Sequence, residues 1–567
     1  MKRAWIVLAM TGCSFDEGVD CSEWHQWGGG PTHAGASCVA AQSFDRTLAV
    51  IDFDRFSPQE EADGFGDLVI HYQSPLLDGD DVYMMEKNGL YTPCPPTTCS
   101  DLYKLRTQIW TEKRYHWDAS GLVEQWAFDT DWKPIPGPFF EPMFQPALVN
   151  EGAIAVPMGK GQLAVLNRAT GTELFRIDPF AGDDHPDAYV AGGIAVGADG
   201  SMYYNVIDVD HDEPFVSKQS LLVAVDPDGH PHTVDYATII TEPVGSAGLC
   251  PGTFGSNLQR PLPPAPNPDG SPVLPPVFEC GPQRPGVNST PAIAADGTIY
   301  VVSHAAFNER FSFLAALAPD LSIKWTASLR DHLADGCGVL IEADGVDSDP
   351  TTWNQCRAGA TMGVEPRTNL PPAGMVDDDS SSSPVAVADG VIYGAFTGYN
   401  GFRGHLFKLD RDGHKVASYD FGWDVTPAVY RHDDTYSIVV KDNHYVDGLF
   451  DMSQLDRDLH REWSFRSTNP LDCQRQPDGT VSCVDDGEHP TGFEWCVNAP
   501  AVDRDGNVYA NSEDGWVYKI GQGGVLRDRL FLLESIGAAY TPISLDHDGR
   551  LFSLNGGDLF VIQAHGD

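Results

Sequence analysis

Four copies of Asp-x-Asp-Gly, at Asp226–Gly229, Asp410–Gly413, Asp503–Gly506 and Asp546–Gly549, are the residues whose types and spacing could do chemistry. Carboxylates that alternate before a glycine are how a calcium loop begins, because a hard cation collects several oxygens around a sharp turn. No copy carries the Glu at the twelfth loop position that would complete an EF-hand frame. We therefore read them as turns, in which the first Asp accepts from its own backbone ahead of a left-handed glycine. Asp208, Asp210 and Asp212 alternate without a central glycine, and Asp344–Asp349 is similar; both are read as loops. His230-Pro-His232 is read as a surface loop. The chain has no Gly-x-Ser-x-Gly elbow, no phosphate-cradling Gly-x-x-x-x-Gly-Lys-Ser/Thr, no dinucleotide fingerprint after a strand, no His-Glu-x-x-His and no Cys-x-x-Cys-His. With 81 acidic residues, a pair of carboxylates says nothing about acid–base catalysis. No catalytic residue and no metal ligand is assigned.

The turns must be held by something, and Ala499–Ile520 shows what. Asp505-Gly506 is a hairpin signal between β-formers, and Val517, Tyr518 and Ile520 begin a third strand after Asp514-Gly515. The unit recurs. Thr290-Pro291-Ala292-Ile293 leads to Asp296-Gly297 and Tyr300; Ser383-Pro384-Val385 leads to Asp389-Gly390 and Tyr393; Thr541-Pro542-Ile543 leads to Asp548-Gly549 and Phe552. Weaker copies open at Ser74-Pro75, Gln145-Pro146 and Thr426-Pro427, and Ala191–Tyr204 keeps the turn without the proline. The step from proline to the third-strand glycine is the same for Pro146 to Gly161, Pro500 to Gly515 and Pro542 to Gly557. A fourth strand often carries an aromatic: Trp126, Phe175, Trp325, Tyr419, Trp463. The tightest repeats match the ~40–50 residues of one four-stranded propeller blade. Eight such units predict an all-β, eight-bladed propeller. Thr47–Phe53 is expected to supply the outer strand of the last blade, so that strands from both ends close the ring and remove its edges.

Long insertions are expected near 241–288, 331–382 and 469–496, each ahead of a blade-opening proline, so all three should emerge on one face as a cap over the channel mouth. Asn288, Asp424, Asn498 and Tyr540, just before the opening prolines, are expected near that mouth. Residues 39–567 read as one propeller domain, behind a tether and lead-in over 14–38.

The net charge of −45 over 567 residues argues against nucleic acid, whose phosphates need clustered Lys and Arg. It also argues against broad contact with anionic lipid. At the N-terminus, Lys2 and Arg3 precede the apolar run Ala4–Met10 and then Thr11-Gly12-Cys13. Residues 1–13 resemble a bacterial lipoprotein signal ending at Cys13; an ordinary cleaved signal is the alternative. The resemblance implies lipidation of Cys13, a membrane contact through the anchor alone, and, with Ser14 following, the outer membrane. An exported chain with 12 cysteines is expected to hold disulfides. Proximity suggests Cys21–Cys38, Cys94–Cys99, Cys250–Cys280, Cys337–Cys356 and Cys473–Cys483, with Cys496 left over and Cys483–Cys496 a rival.

The stretch Trp24-His25-Gln26-Trp27-Gly28-Gly29-Gly30-Pro31-Thr32-His33-Ala34-Gly35, together with the Ser/Thr-Pro-Ala…Asp-Gly…Ile/Val-Tyr copies, resembles proteins built from pyrroloquinoline-quinone-type propeller repeats. The resemblance covers most of Trp24–Ala564. It implies the fold, and it leaves activity open because many members bind no quinone. Quinone dehydrogenases of this superfamily commonly show a vicinal Cys-Cys pair at the cofactor, and no two cysteines are adjacent here. The layout is similar to the propeller lipoprotein of the outer-membrane β-barrel assembly machinery, which lacks the large Cys-bearing insertions, so the role does not transfer. The expectation is a monomeric, non-enzymatic platform without a cofactor, binding protein or envelope polymer. The alternatives are a periplasmic dehydrogenase using pyrroloquinoline quinone and calcium, and a carbohydrate-binding propeller.

Overall fold

A computed structural model describes residues 23–63, 73–92, 107–118, 121–136, 142–213, 216–240, 248–254, 266–330, 332, 362–365, 368–378, 380–396, 403–422, 425–444, 448–485, 487–497, 499–535 and 542–564. Strands dominate. They form eight antiparallel sheets of four or five strands and two extra hairpins. The innermost strands open with the recurrent motif: Leu76–Asp78, Ala147–Val149, Ala188–Val196, Ala292–Ile293, Val385–Val387, Ala428–His432, Ala501–Val502 and Ile543–Leu545. The chain is the all-β, eight-bladed propeller that the repeats predict.

Each blade is too thin to bury more than one face alone, so the hydrophobic clusters lie between blades. Inner and middle strands are mostly buried, and Ile299–Ala305 is buried along its whole length. Outer strands are mostly exposed, as in Glu173–Ile177. The aromatic of an outer strand docks on a glycine in the next blade. Trp126 lies over Gly171, Phe175 over Gly229, Trp325 over Gly413 and Trp463 over Gly524. At Gly413 the backbone is left-handed (φ 85°), and a Cβ there would lie 2.7 Å from the Trp325 ring. Only glycine meets both demands.

Ring closure follows the expectation. Arg46–Asp52 pairs antiparallel with Asp558–Gln563, the last strand of the chain, so the first and last segments share one sheet. Sharing one blade between the two ends ties the ring shut and covers the edge that Asp558–Gln563 would otherwise present.

A second closure was not expected. Residues 24–42 run round the channel and bond to every blade in order. Trp24 pairs with Leu77 through both backbone groups (3.1 and 2.8 Å), and Leu148 N–H donates to His25 O (2.9 Å). Val196 is met by the Gln26 side chain, which accepts from its N–H (2.7 Å) and donates to its carbonyl (3.1 Å). Ile293 then donates to Pro31 O (2.7 Å), Ala386 to Thr32 O (3.0 Å), Val429 to Ala34 O (2.7 Å) and Val502 to Gly35 O (2.8 Å), and Gln42 donates to Gly549 O (3.0 Å). Gly35 is left-handed (φ 57°), and a Cβ there would meet Pro500 O at 2.7 Å. This clamp lies at the end of the inner strands where the Asp-Gly turns are, here called the turn face.

Candidate functional site

The opposite end of the channel begins with the residues before the opening prolines. A pre-proline residue is held extended, and its N–H points sideways toward the next blade. There it finds the side chain at the equivalent place. Ser74 N–H donates to Gln145 Oε1, Gly193 to Thr290 Oγ1 (2.9 Å), Thr290 to Ser383 Oγ (3.0 Å) and Ser383 to Thr426 Oγ1 (3.1 Å). The Ser/Thr/Gln-Pro recurrence thus carries hydrogen bonds that join the first blade to the second and the third through to the sixth. The hydroxyls are taken up by structure.

The described parts of the insertions lie on this face. The hairpin Leu249–Pro251 with Val277–Glu279 packs on the turn after Ile299–Ala305, where Phe307 N–H donates to Cys280 O (2.9 Å). Cys250 is disulfide-bonded to Cys280 at its base. The second hairpin, Asp472–Arg475 with Val481–Val484, holds a Cys473–Cys483 disulfide. Cys496 is a buried free thiol, which sets aside the rival Cys483–Cys496 pairing. The first two insertions touch, Asn369 Nδ2 donating to Val273 O (2.6 Å), and the second is also tied to the fourth blade, where Arg310 pairs with Glu365. Cys38 is disulfide-bonded. Cys13, Cys21, Cys94, Cys99, Cys337 and Cys356 lie outside the described residues, as do Asp424, Asn498, Tyr540 and Asp344–Asp349.

Behind the cap is a buried ion triad. Asp378 accepts from Arg284 Nη1 (2.8 Å), from Arg284 Nη2 and from Val287 N–H (3.2 Å), and its Oδ1 lies 3.1 Å from His304 Nε2. All three side chains are almost wholly buried. Burial by itself would raise the Asp378 carboxyl, but Arg284 and His304 outweigh it and hold it well below the usual carboxylate range. Asn288 Nδ2 donates to the Asp378 carbonyl (3.3 Å), so of the four pre-proline residues this one is placed, and it is structural. The cluster joins two strands of the fourth blade to the end of the second insertion, and no sequence signal links positions so far apart.

Two other groups on this face escaped sequence reasoning. The Cys496 Sγ and carboxylate oxygens of Glu494 and Glu513 lie within 4.8 Å of one another, close enough to hold a metal ion. Burial, then Glu494 and Glu513, push the Cys496 thiol up. Burial and the neighbouring Asp472 push the Glu534 carboxyl up to about 8.

The calcium-like sequences are turns. Asp226, Asp410, Asp503 and Asp546 each accept from backbone N–H groups two and four residues on. Asp210 accepts from Asp212 and Glu213 N–H, and Asp208 lies 2.8 Å from His185 Nδ1.

This architecture can be set against known proteins. The quinohemoprotein alcohol dehydrogenase from Comamonas testosteroni superposes with a TM-score of 0.50 at 10% identity, over 97% of this chain and 82% of that one. The fold is a quinoprotein-type propeller. A europium-containing methanol dehydrogenase (TM-score 0.49, 11% identity, 94% of this chain and 89% of that one) and BamB from Moraxella catarrhalis (0.43, 12%, 92% and 99%) are also similar. No protein-family model matches the chain, and no curated protein does. At such identities the likeness speaks for the fold alone. At the insertion-face end of the fourth blade, Arg284 and His304 are buried and turned onto Asp378.

The turn face is more open. There the clamp forms the floor of a depression of about 430 Å³, walled by the turns of the third, fourth, sixth and seventh blades. A second hollow of about 320 Å³ continues it across the fifth blade. Thr32, Ala294, Ala295, Val429 and Arg431 line both. No described helix is long and apolar enough to cross a membrane.

Proposed function

We propose that this chain is an exported, lipid-anchored, non-enzymatic propeller that serves in the cell envelope as a rigid platform for a protein or an envelope polymer. The observation that supports this reading is the separation of its two faces. The N-terminal segment enters the ring at the turn face, where Glu23 accepts from Gly79 N–H (3.0 Å). The cross-braced insertions lie on the opposite face. A tether on one side leaves the elaborated side free to meet a partner, and loops on a rigid scaffold are where recognition residues concentrate. The test is co-purification from crosslinked envelopes. The parent chain should retain a partner that is lost when the hairpin 472–484 is replaced by a short turn, provided the melting temperature is kept. Equal capture by both would turn attention away from this face.

A quinone- and calcium-dependent dehydrogenase is the alternative that the fold allows. Adding pyrroloquinoline quinone and calcium to the purified chain should give dye-linked alcohol or sugar oxidation only under that alternative. A carbohydrate-binding propeller would instead bind on a glycan array.

A further inference from the structure

We infer that the turn-face depression is a binding site for a small amphipathic anion, an acyl chain ending in a carboxylate, with Arg431 taking the head group. This goes beyond the platform reading and concerns the other face of the ring.

The floor is largely apolar. It is made of Gly29, Pro31, Ala34, Ile293, Val429 and Val502, and the N–H groups of Ile293, Val429 and Val502 already donate to the clamp. An alkyl chain needs no hydrogen-bond partner there. The two hollows, about 430 and 320 Å³, fall within the ~300–1,000 Å³ of small-ligand sites.

The charges on the wall are unequal in availability. Asp199 is turned onto Ser201, accepting from both its N–H and its hydroxyl (3.0 Å each). Asp503 accepts from the N–H groups of Ala41, Asp505 and Asn507, from the Asn507 amide and from the Tyr509 hydroxyl. Both carboxylates are therefore saturated by their own surroundings. Arg431 is exposed and makes no ion pair or side-chain hydrogen bond among the described residues, although it lines both hollows. In a chain with 81 acidic and 36 basic residues, a guanidinium at the junction of the two hollows that pairs with none of the carboxylates lining the second, Asp296, Asp433 and Asp434, is the feature to be explained. A ligand carboxylate supplies the missing bidentate partner. The alkyl chain then lies along the floor, and its burial supplies the rest of the affinity.

The test is calorimetric titration of the full chain with laurate below its micellar concentration, with dodecanol and dodecyl maltoside as chains lacking the charge. Laurate should bind at one site. Arg431→Ala should weaken it about tenfold or more, as expected for loss of a charge-assisted hydrogen bond. Arg431→Lys should retain part of the affinity, and Val429→Trp should abolish binding by filling the floor. Arg176→Ala, on an outer strand of the second blade, should change nothing. All variants are required to melt with the parent. Dodecanol binding as tightly as laurate, laurate binding indifferent to Arg431→Ala, preferential binding of a sugar, or no binding at all would each overturn the inference. Partner capture on the insertion face is measured separately on Arg431→Ala. If capture survives while laurate binding does not exist, only the present inference falls.

Discussion

Gln26 reaches the third blade through its side chain, and replacing it is the sharpest test of the closure. Between Trp24 and Pro31 the main chain doubles back, with Gly29 N–H donating to Gln26 O (2.9 Å), so it cannot extend to the third blade. The Gln26 amide stands in for a peptide group and meets both the N–H and the carbonyl of Val196. Gln26 and Val196 are both buried. Gln26→Met keeps the shape and deletes both bonds. Each bond is worth about 0.5–1.5 kcal/mol net, and leaving buried partners unpaired adds to the loss, so about 2–4 kcal/mol is expected. With an unfolding entropy of about 2.1 cal/mol/K per residue, a ring of 567 residues melting as one unit would lose only about 2–3 °C. Hydrogen exchange is therefore the better assay. Peptides covering Val196 and the clamp should exchange at least tenfold faster in Gln26→Met, with the outer strands unchanged. Gln26→Glu should be worse than Met at pH 7, because it buries a charge that cannot donate to the Val196 carbonyl. Unchanged exchange at Val196 in both variants would show that the side chain carries no load, and the account of the clamp as a continuous closure would fail.

Three further outcomes are expected. Glu112 is fully buried with neither carboxyl oxygen partnered among the described residues, and burial raises its pKa well above the usual range. The folded chain thus holds a proton that the unfolded chain releases, and stability falls as pH rises above the unfolded value; Glu112→Gln should raise the melting temperature at pH 7–8, a gain that vanishes near pH 4. Asp378 is the opposite case, its lowered folded pKa giving stability above the unfolded value that is lost as pH falls through the folded one. Arg284→Met leaves that carboxylate buried without its guanidinium and should cost about 3–5 kcal/mol at pH 7 in unfolding experiments, with the deficit shrinking as the pH drops below about 4. Finally, deleting 46–52 opens the seam blade and exposes the Asp558–Gln563 edge; a sharp loss of thermal stability with concentration-dependent association should follow, and a deletant that melts like the parent would contradict the closure.

Some of the molecule was legible because its signals are local and repeated. The Asp-Gly turns, the opening prolines and the third-strand glycines recur in register, and register alone sets blade order. The N-terminal strand over Thr47–Phe53 was legible because a ring with an unmatched C-terminal strand needs a partner. The Trp24–Gly35 segment was recognisable as a motif, but its job as a clamp was not. That job depends on carbonyls of residues 24–35 meeting amides scattered from Leu77 to Val502, and no spacing rule relates them. Likewise the Ser/Thr-Pro dipeptides marked where blades start, while their hydroxyls turned out to accept from the preceding blade.

By itself, then, the sequence determined the architecture: periodic turns and short alternating strands admit few arrangements, and a ring is the one that buries every sheet on both sides. The tertiary structure alone decided which polar groups are available for function. Asp503 and Asp378 are no different from other acidic residues until their neighbours are known, and folding surrounds both with donors. Arg431 is one arginine among many in the sequence, and only the packing of the blades leaves it at the junction of two hollows without an ion pair among the described residues. Availability is a property of what surrounds a group, and in a ring those surroundings come from segments hundreds of residues apart.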